Sequence, residues 1–215
     1  MTTKAFSKGE AIRFGWAAMK ANIGFFIGLL IVVGLISYSP DTVLRLARVE
    51  APGVILIVGV ASFALQQWMG MGVTRISLKF ADGARAEMGD LFARADLFFK
   101  YVGGSILYAL IVLGGLILLI VPGFIWAMKY QFYGYFIMDR ELGPIEALKQ
   151  SAAITGGAKG NLFLFALVLA GINMLGALAL VIGLFATIPT SIVAVGFVYR
   201  RLLARAAAGP APVTA

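Results

Sequence analysis

Residues 162–198, LFLFALVLAGINMLGALALVIGLFATIPTSIVAVGFV, carry no charged side chain. A helix crosses the roughly 30 Å hydrocarbon core of a bilayer with about 20 residues at 1.5 Å each. As one helix this stretch would be nearly twice that thickness, so it demands a hairpin. The two spans are Leu162 to Leu178 and Val181 to Val198, with a turn near Gly176 to Gly183. Working outward, four more apolar runs stand between charged segments: Ala21 to Ser39, Gly53 to Val73, Tyr101 to Val121 and Gly123 to Met138. Hydrophobic residues make up 61% of the chain and charged residues 13%, with a mean hydropathy of +0.95. The expectation is an all-α, polytopic transmembrane helical bundle of six spans. It forms a single integral membrane domain over residues 1–205. The stretch Ala206 to Ala215, rich in Ala and Pro without periodicity, is expected to be a disordered tail.

The chain has no histidine and no cysteine. That removes the usual neutral-pH base, thiolate nucleophiles, disulfides, the common zinc ligands and the common haem ligands. With only Lys, Tyr and carboxylates left to do chemistry, no enzyme, cofactor or metal site is expected. Asp82, Glu87, Asp90 and Asp96 alternate with cations, as a solvated helix face would. The net charge of +8 suits anionic lipid better than nucleic acid, because the cations are scattered at the ends of apolar runs without a basic face or an aromatic reading platform. Lys4, Lys8, Arg13 and Lys20 ahead of the first apolar run resemble a signal peptide, but with five further spans following, the segment is expected to be retained.

Positive-inside counting orients the bundle. With the N-terminus cytoplasmic, the inside segments carry Lys4, Lys8, Arg13 and Lys20, then Arg75, Lys79, Arg85, Arg94 and Lys100, then Arg140, Lys149 and Lys159, and finally Arg200, Arg201 and Arg205. Only Arg45 and Arg48 fall outside. Both termini are therefore expected in the cytoplasm. Val121-Pro122-Gly123 reads as a tight turn at the far side.

The inside segments have their own periodicity. Met88, Leu91, Phe92, Ala95, Phe98 and Phe99 recur at three- and four-residue steps, opposite Asp90, Arg94, Asp96 and Lys100, which predicts an amphipathic helix lying in the interface from Met88 to Lys100. A related helix before the first span places Ile12, Trp16 and Met19 on one face. A third, starting at Gly143-Pro144, places Ile145, Leu148 and Ala152 together. The result is a pseudo-threefold repeat of interfacial helix plus helical hairpin, with Pro40, Pro122 and Pro189 near the far side. Such repetition occurs in transporters and also in inert scaffolds.

The second half carries a resemblance. Ile117 to Ile125 around Pro122-Gly123, then Tyr130, Asp139, Glu146 to Ser151, Gly160-Asn161-Leu162-Phe163, Gly183, Pro189 and Tyr199-Arg200-Arg201-Leu202 together resemble a bacterial family of six-helix membrane proteins of unknown function. That family is similar to the membrane domain attached to some glycerophosphoryl diester phosphodiesterases. The resemblance implies a bacterial cytoplasmic membrane protein. It does not imply the phosphodiesterase activity, which needs a soluble barrel with histidines that this chain lacks.

Lys129 breaks the segregation of charge. Within the fourth run a cation costs about 3 kcal/mol on insertion scales, and no acid lies at that depth. It either snorkels along neighbouring aromatics toward the surface or meets an anion at a polar site built with Gln66, Gln67, Gln131 and Asn173. The amides are equally explained as interhelical hydrogen-bonding groups. Gly24 and Gly28 have the spacing of a close helix contact. Gly156-Gly157-Ala158-Lys159-Gly160 lacks the spacing of a phosphate loop and reads as a helix terminus. Trp68, Trp126 and the neighbouring tyrosines read as anchors and packing.

Candidate contacts to anionic headgroups are Arg13, Lys20, Arg85, Arg94, Lys100, Lys149, Lys159, Arg200 and Arg201. The leading expectation is a non-enzymatic accessory or scaffold protein engaging membrane lipids, with a membrane-protein partner or a second copy as further partners. The alternative is a small-solute or lipid transporter working around Lys129.

Overall fold

The computed structural model describes residues 5–46, 51–179 and 181–208. Every regular element among them is helical. Helix α1 (Lys8–Ala21) starts where the Ser7 hydroxyl accepts the Glu10 N–H at 3.3 Å, which satisfies one of the unpaired amides of a helix start. It gives way at Asn22 to α2 (Ile23–Leu46), which contains Pro40. Helix α3 (Pro52–Ala81) is 30 residues long and begins on a proline, which donates no N–H where none is needed.

After two short 3-10 turns, Met88–Leu91 and Ala95–Leu97, come α4 (Phe98–Leu118), α5 (Ile120–Tyr130), α6 (Tyr133–Arg140) and α7 (Pro144–Ile154). Helices α8 (Lys159–Leu178) and α9 (Leu184–Ala207) complete the bundle. The turn between them occupies the stretch expected from the sequence. Ala206 and Ala207, expected in the tail, belong to α9; residues 209–215 of the expected tail lie outside the described residues, as do Lys4 and Arg48.

Four segments are long and apolar enough to cross a membrane: Ile23–Pro40, Pro52–Ala81, Met88–Leu118 and Lys159–Leu178. In the third, the apolar run is α4 itself, behind the charged 3-10 turns. The six-span expectation is matched at this level for four. The run Gly123 to Met138 is not one helix. It breaks at Gln131-Phe132 because a hydroxyl from α7 enters the ladder: Ser151 Oγ accepts the Phe132 N–H at 3.1 Å and donates to Lys129 O at 3.0 Å. Thr155 Oγ1 stands 3.0 Å from the same carbonyl. A side chain inserted into the i→i−4 pattern is a recognised cause of such a break. Helix α9 is interrupted in character by Pro189 and by Arg200, Arg201 and Arg205 in its second half.

Glycine pairs close two hairpins. Leu119 is extended between α4 and α5, two residues ahead of the turn expected at Val121-Pro122-Gly123. The helices then cross so closely that a Cβ on Gly115 would lie 2.9 Å from Gly123 Cα. Likewise a Cβ on Gly183 would lie 2.7 Å from Gly176 Cα, across the α8–α9 turn. By contrast Gly24 has open space around it and Gly28 meets only the end of the Met88 side chain, so their spacing brings no helix backbone close within the chain.

Of the three expected interfacial helices, the one over Met88 to Lys100 does not form, while α1 and α7 do. No continuous helix forms over Met88 to Lys100, because the Asp90 carboxylate turns inward, 6% exposed, to Arg75, Lys79 and the Glu87 N–H. The face of α1 that is buried is Ala11, Gly15 and Met19, packed on α9, while Trp16 is exposed. On α7 the buried residues are Ala147, Leu148, Ser151 and Ile154, and Ile145 is exposed.

The core gathers around α9, which packs against α1, α3, α7 and α8. Tyr199, fully buried, contacts the rings of Phe132, Tyr135 and Phe136 at centroid distances of 5.2–5.9 Å. Away from this core the surface is apolar: Ile31, Leu35, Val43 and Leu46 on α2, and Val54 to Ile57 on α3, are all exposed. In water such a continuous patch would be an aggregation liability. Against hydrocarbon it is the surface expected of a membrane protein, with backbone polar groups satisfied inside helices.

Candidate functional site

Ion-paired side chains gather where the C-terminal parts of α3, α6 and α9 meet the start of α1. At the centre, Arg200 donates to both oxygens of Asp82 at 2.7 Å and to Asp139 Oδ2 at 2.7 Å. The Tyr199 hydroxyl donates to the same Asp139 oxygen at 2.9 Å. Beside it, Arg75 and Lys79 bracket buried Asp90 at 3.1 and 2.7 Å. Burial alone would push that carboxyl up, but the hydrogen bonds from Lys79, the Glu87 N–H and Arg75 prevail and hold it below the usual carboxylate range.

The rim is built the same way. Arg94 donates to Asp96 at 2.9 and 3.0 Å and to Glu141 at 2.8 Å, and Lys100 caps the Glu141 carbonyl at 2.9 Å. Arg201 pairs with Glu10, closing α9 onto α1. These ion pairs tie together segments from both ends of the chain. Exposed pairs of this kind are individually weak, typically under about 1 kcal/mol. Their collective effect is on which cations remain available.

Of the nine cations expected to contact headgroups, four are occupied: Arg94, Lys100, Arg200 and Arg201. Arg13 turns back to the Gly9 carbonyl at 3.3 Å. Lys20, Arg85 and Lys149 are exposed and, among the described residues, make no ion pair or hydrogen bond. Lys159 borders an apolar crevice of about 330 Å³ between α5 and α8, lined by Val121, Phe124, Met128 and Phe163.

The five residues of the expected intramembrane polar site are not assembled. Lys129 lies in the last turn of α5, its ammonium 5.0 Å from the centre of the Tyr130 ring. Gln131 donates to the Met128 carbonyl of its own helix end at 3.1 Å. Asn173 donates to Ser191 Oγ at 3.0 Å, joining α8 to α9. Gln66 faces outward and Gln67 is half-buried, and among the described residues no hydrogen bond links any two of the five. Sequence reasoning missed Asp82, Asp139, Glu141 and Glu10 as the partners that organise this end, and Ser151 and Thr155 as the hydroxyls at the α5–α6 break. Their signal is tertiary: Glu10 and Arg201 are 191 positions apart.

No cluster of three metal-binding acids, histidines or cysteines occurs among the described residues. Fold and site together define an all-helical protein with a membrane-type apolar surface and one ion-paired, charged end. Residues 91–214 match the family described as "Domain of unknown function (DUF7847)", and the chain belongs to it. It is also 27% identical over 233 residues to "Uncharacterized protein Mb2590" of Mycobacterium bovis, covering 94% of this chain and 70% of that protein. The same figures hold for "Uncharacterized protein MT2637" and "Uncharacterized protein Rv2560" of Mycobacterium tuberculosis. No solved structure matches.

Proposed function

We propose that this is a non-enzymatic protein of the bacterial cytoplasmic membrane, an accessory or scaffold component whose charged end engages anionic headgroups. The observation that carries the reading is the division of the surface: exposed Leu, Ile and Val cover α2 and the first half of α3, while the ion pairs gather at one end. Positive-inside counting puts that end and both termini in the cytoplasm. The six-crossing reading counts α5 with α6 as a broken fourth span and α9 as the sixth. Two glycine-closed hairpins, α4–α5 and α8–α9, support the repeat, as does the resemblance of the second half to membrane domains carried by some phosphodiesterases.

The test is association of the full chain with vesicles. Binding in detergent-depleted reconstitution should favour vesicles containing phosphatidylglycerol over phosphatidylcholine alone, and the preference should fall steeply with salt. Equal recovery on both lipids at low salt would sink the headgroup reading. Loss of solute flux from liposomes on Lys129→Met would instead favour transport.

A further inference from the structure

A groove of about 660 Å³ lies where the ends of α6 and α9 meet the second half of α7. Two guanidinium groups line it, Arg140 and Arg205, together with Gln150, Gly156, Ile154 and Leu203. We infer that this groove binds a phosphate-type anion between Arg140 and Arg205. The inference rests on the headgroup reading above and gives it an address.

The argument starts from which cations are already committed. Arg75, Lys79, Arg94, Arg200 and Arg201 face carboxylates, and Lys100 faces a carbonyl. Arg140 and Arg205 have no ion pair and donate no hydrogen bond among the described residues. The two acids flanking Arg140 in sequence are turned elsewhere: Asp139 to Arg200 and Tyr199, Glu141 to Arg94. The acid nearest Gln150, Glu146, accepts its amide at 2.9 Å. Arg140 otherwise only overlies the Phe136 ring at 5.7 Å.

Each arginine sits in the last turn of its helix, where the macrodipole welcomes a cation. That explains a positive charge at each place but not two unpaired arginines lining one cavity. The dipole amounts to about half a charge, and among the described residues no carbonyl at either helix end accepts from them. A guanidinium carries five N–H donors and no acceptor, so the two together offer a donor set suited to tetrahedral oxyanions, which arginine binds in bidentate fashion. The walls at Ile154 and Leu203 are apolar and suit the glycerol and first methylenes of a lipid, whereas a soluble phosphate ester would use the arginines alone.

The experiment is native mass spectrometry of the full chain in phosphatidylcholine nanodiscs, titrated with phosphatidylglycerol and, separately, with glycerol 3-phosphate. Wild type should retain bound phosphatidylglycerol, and R140Q/R205Q should weaken it by about a hundredfold, on the order of tenfold for each guanidinium removed from the anion. R140K/R205K keeps both charges and should recover part of that affinity if the fold is intact. Competition by glycerol 3-phosphate assigns the site to soluble phosphate esters, and its failure to compete assigns it to lipid. Unchanged binding by R140Q/R205Q, beside a wild type that prefers anionic lipid, overturns the groove and leaves the headgroup reading standing. A wild type that binds neither ligand overturns both.

Discussion

At the scale of single residues, two hydroxyls matter more than the cation that first attracts the eye. Lys129 contributes its backbone carbonyl to the α5–α6 break, while its ammonium rests near Tyr130. Lys129→Met should therefore change stability by no more than about 0.5 kcal/mol, as for substitutions outside the core network. Ser151→Ala removes the acceptor of the Phe132 N–H in a fully buried position and should cost about 1–3 kcal/mol. Thermal unfolding in detergent ranks the two; equal melting points for both variants would refute the assignment. Lys129 was legible as an anomaly because charge in an apolar run is local information. Ser151 was not, since nothing in its own neighbourhood says that its hydroxyl enters a helix 19 positions away.

Asp90 adds a pH dependence whose sign follows from its depressed pKa. A carboxyl held lower in the folded state than in the unfolded chain contributes stability that is fully present above the ordinary carboxylate value and is lost as pH falls through the folded one. Acidification should therefore loosen the turns after α3 before it affects the apolar spans. Asp90→Asn should flatten that part of the pH–stability curve, which a melting series in acidic buffers measures. An unchanged acid profile in the variant would show that Asp90 does not set it.

At the scale of elements, the decisive contacts are places without side chains. The α4–α5 and α8–α9 hairpins close only because Gly115 meets Gly123 and Gly176 meets Gly183. Between membrane helices, where lipid removes the usual hydrophobic drive, such close backbone approach is a main source of packing energy. Gly176→Val would press on Thr187 and on the Gly183 backbone and should destabilise by about 1–3 kcal/mol or more. Gly24→Val meets open space and should be near neutral in the isolated protein, a contrast that unfolding in detergent reads directly.

Elements whose signals are local were legible: the start of α7 at Gly143-Pro144, and the turn at Gly157, with φ 70°. The Met88 to Lys100 helix failed because periodicity counts apolar positions and does not register that Asp90 has cationic partners on α3. Which sides of α1 and α7 pack inside the bundle was hidden for a related reason. Small residues, Ala11 and Gly15 on α1 and Ala147 on α7, allow the closest approach and so define the buried side, whereas the larger Trp16 and Ile145 face outward.

At the scale of the whole molecule, segregation of charge from apolar surface ties the observations together. It was the part of the architecture that sequence read best, because composition and the placement of charge along the chain need no tertiary knowledge. Which cations neutralise which acids was hidden, and with it the difference between occupied arginines such as Arg200 and those left facing a groove. The central claim, that the ion-paired end faces the cytoplasm as one surface, is tested most directly by single cysteines in a chain that has none. With Arg85→Cys and Lys149→Cys, both at exposed positions, a membrane-impermeant maleimide should leave both unlabelled in intact cells and label both in inverted membrane vesicles. Labelling of either position from outside intact cells would contradict that claim.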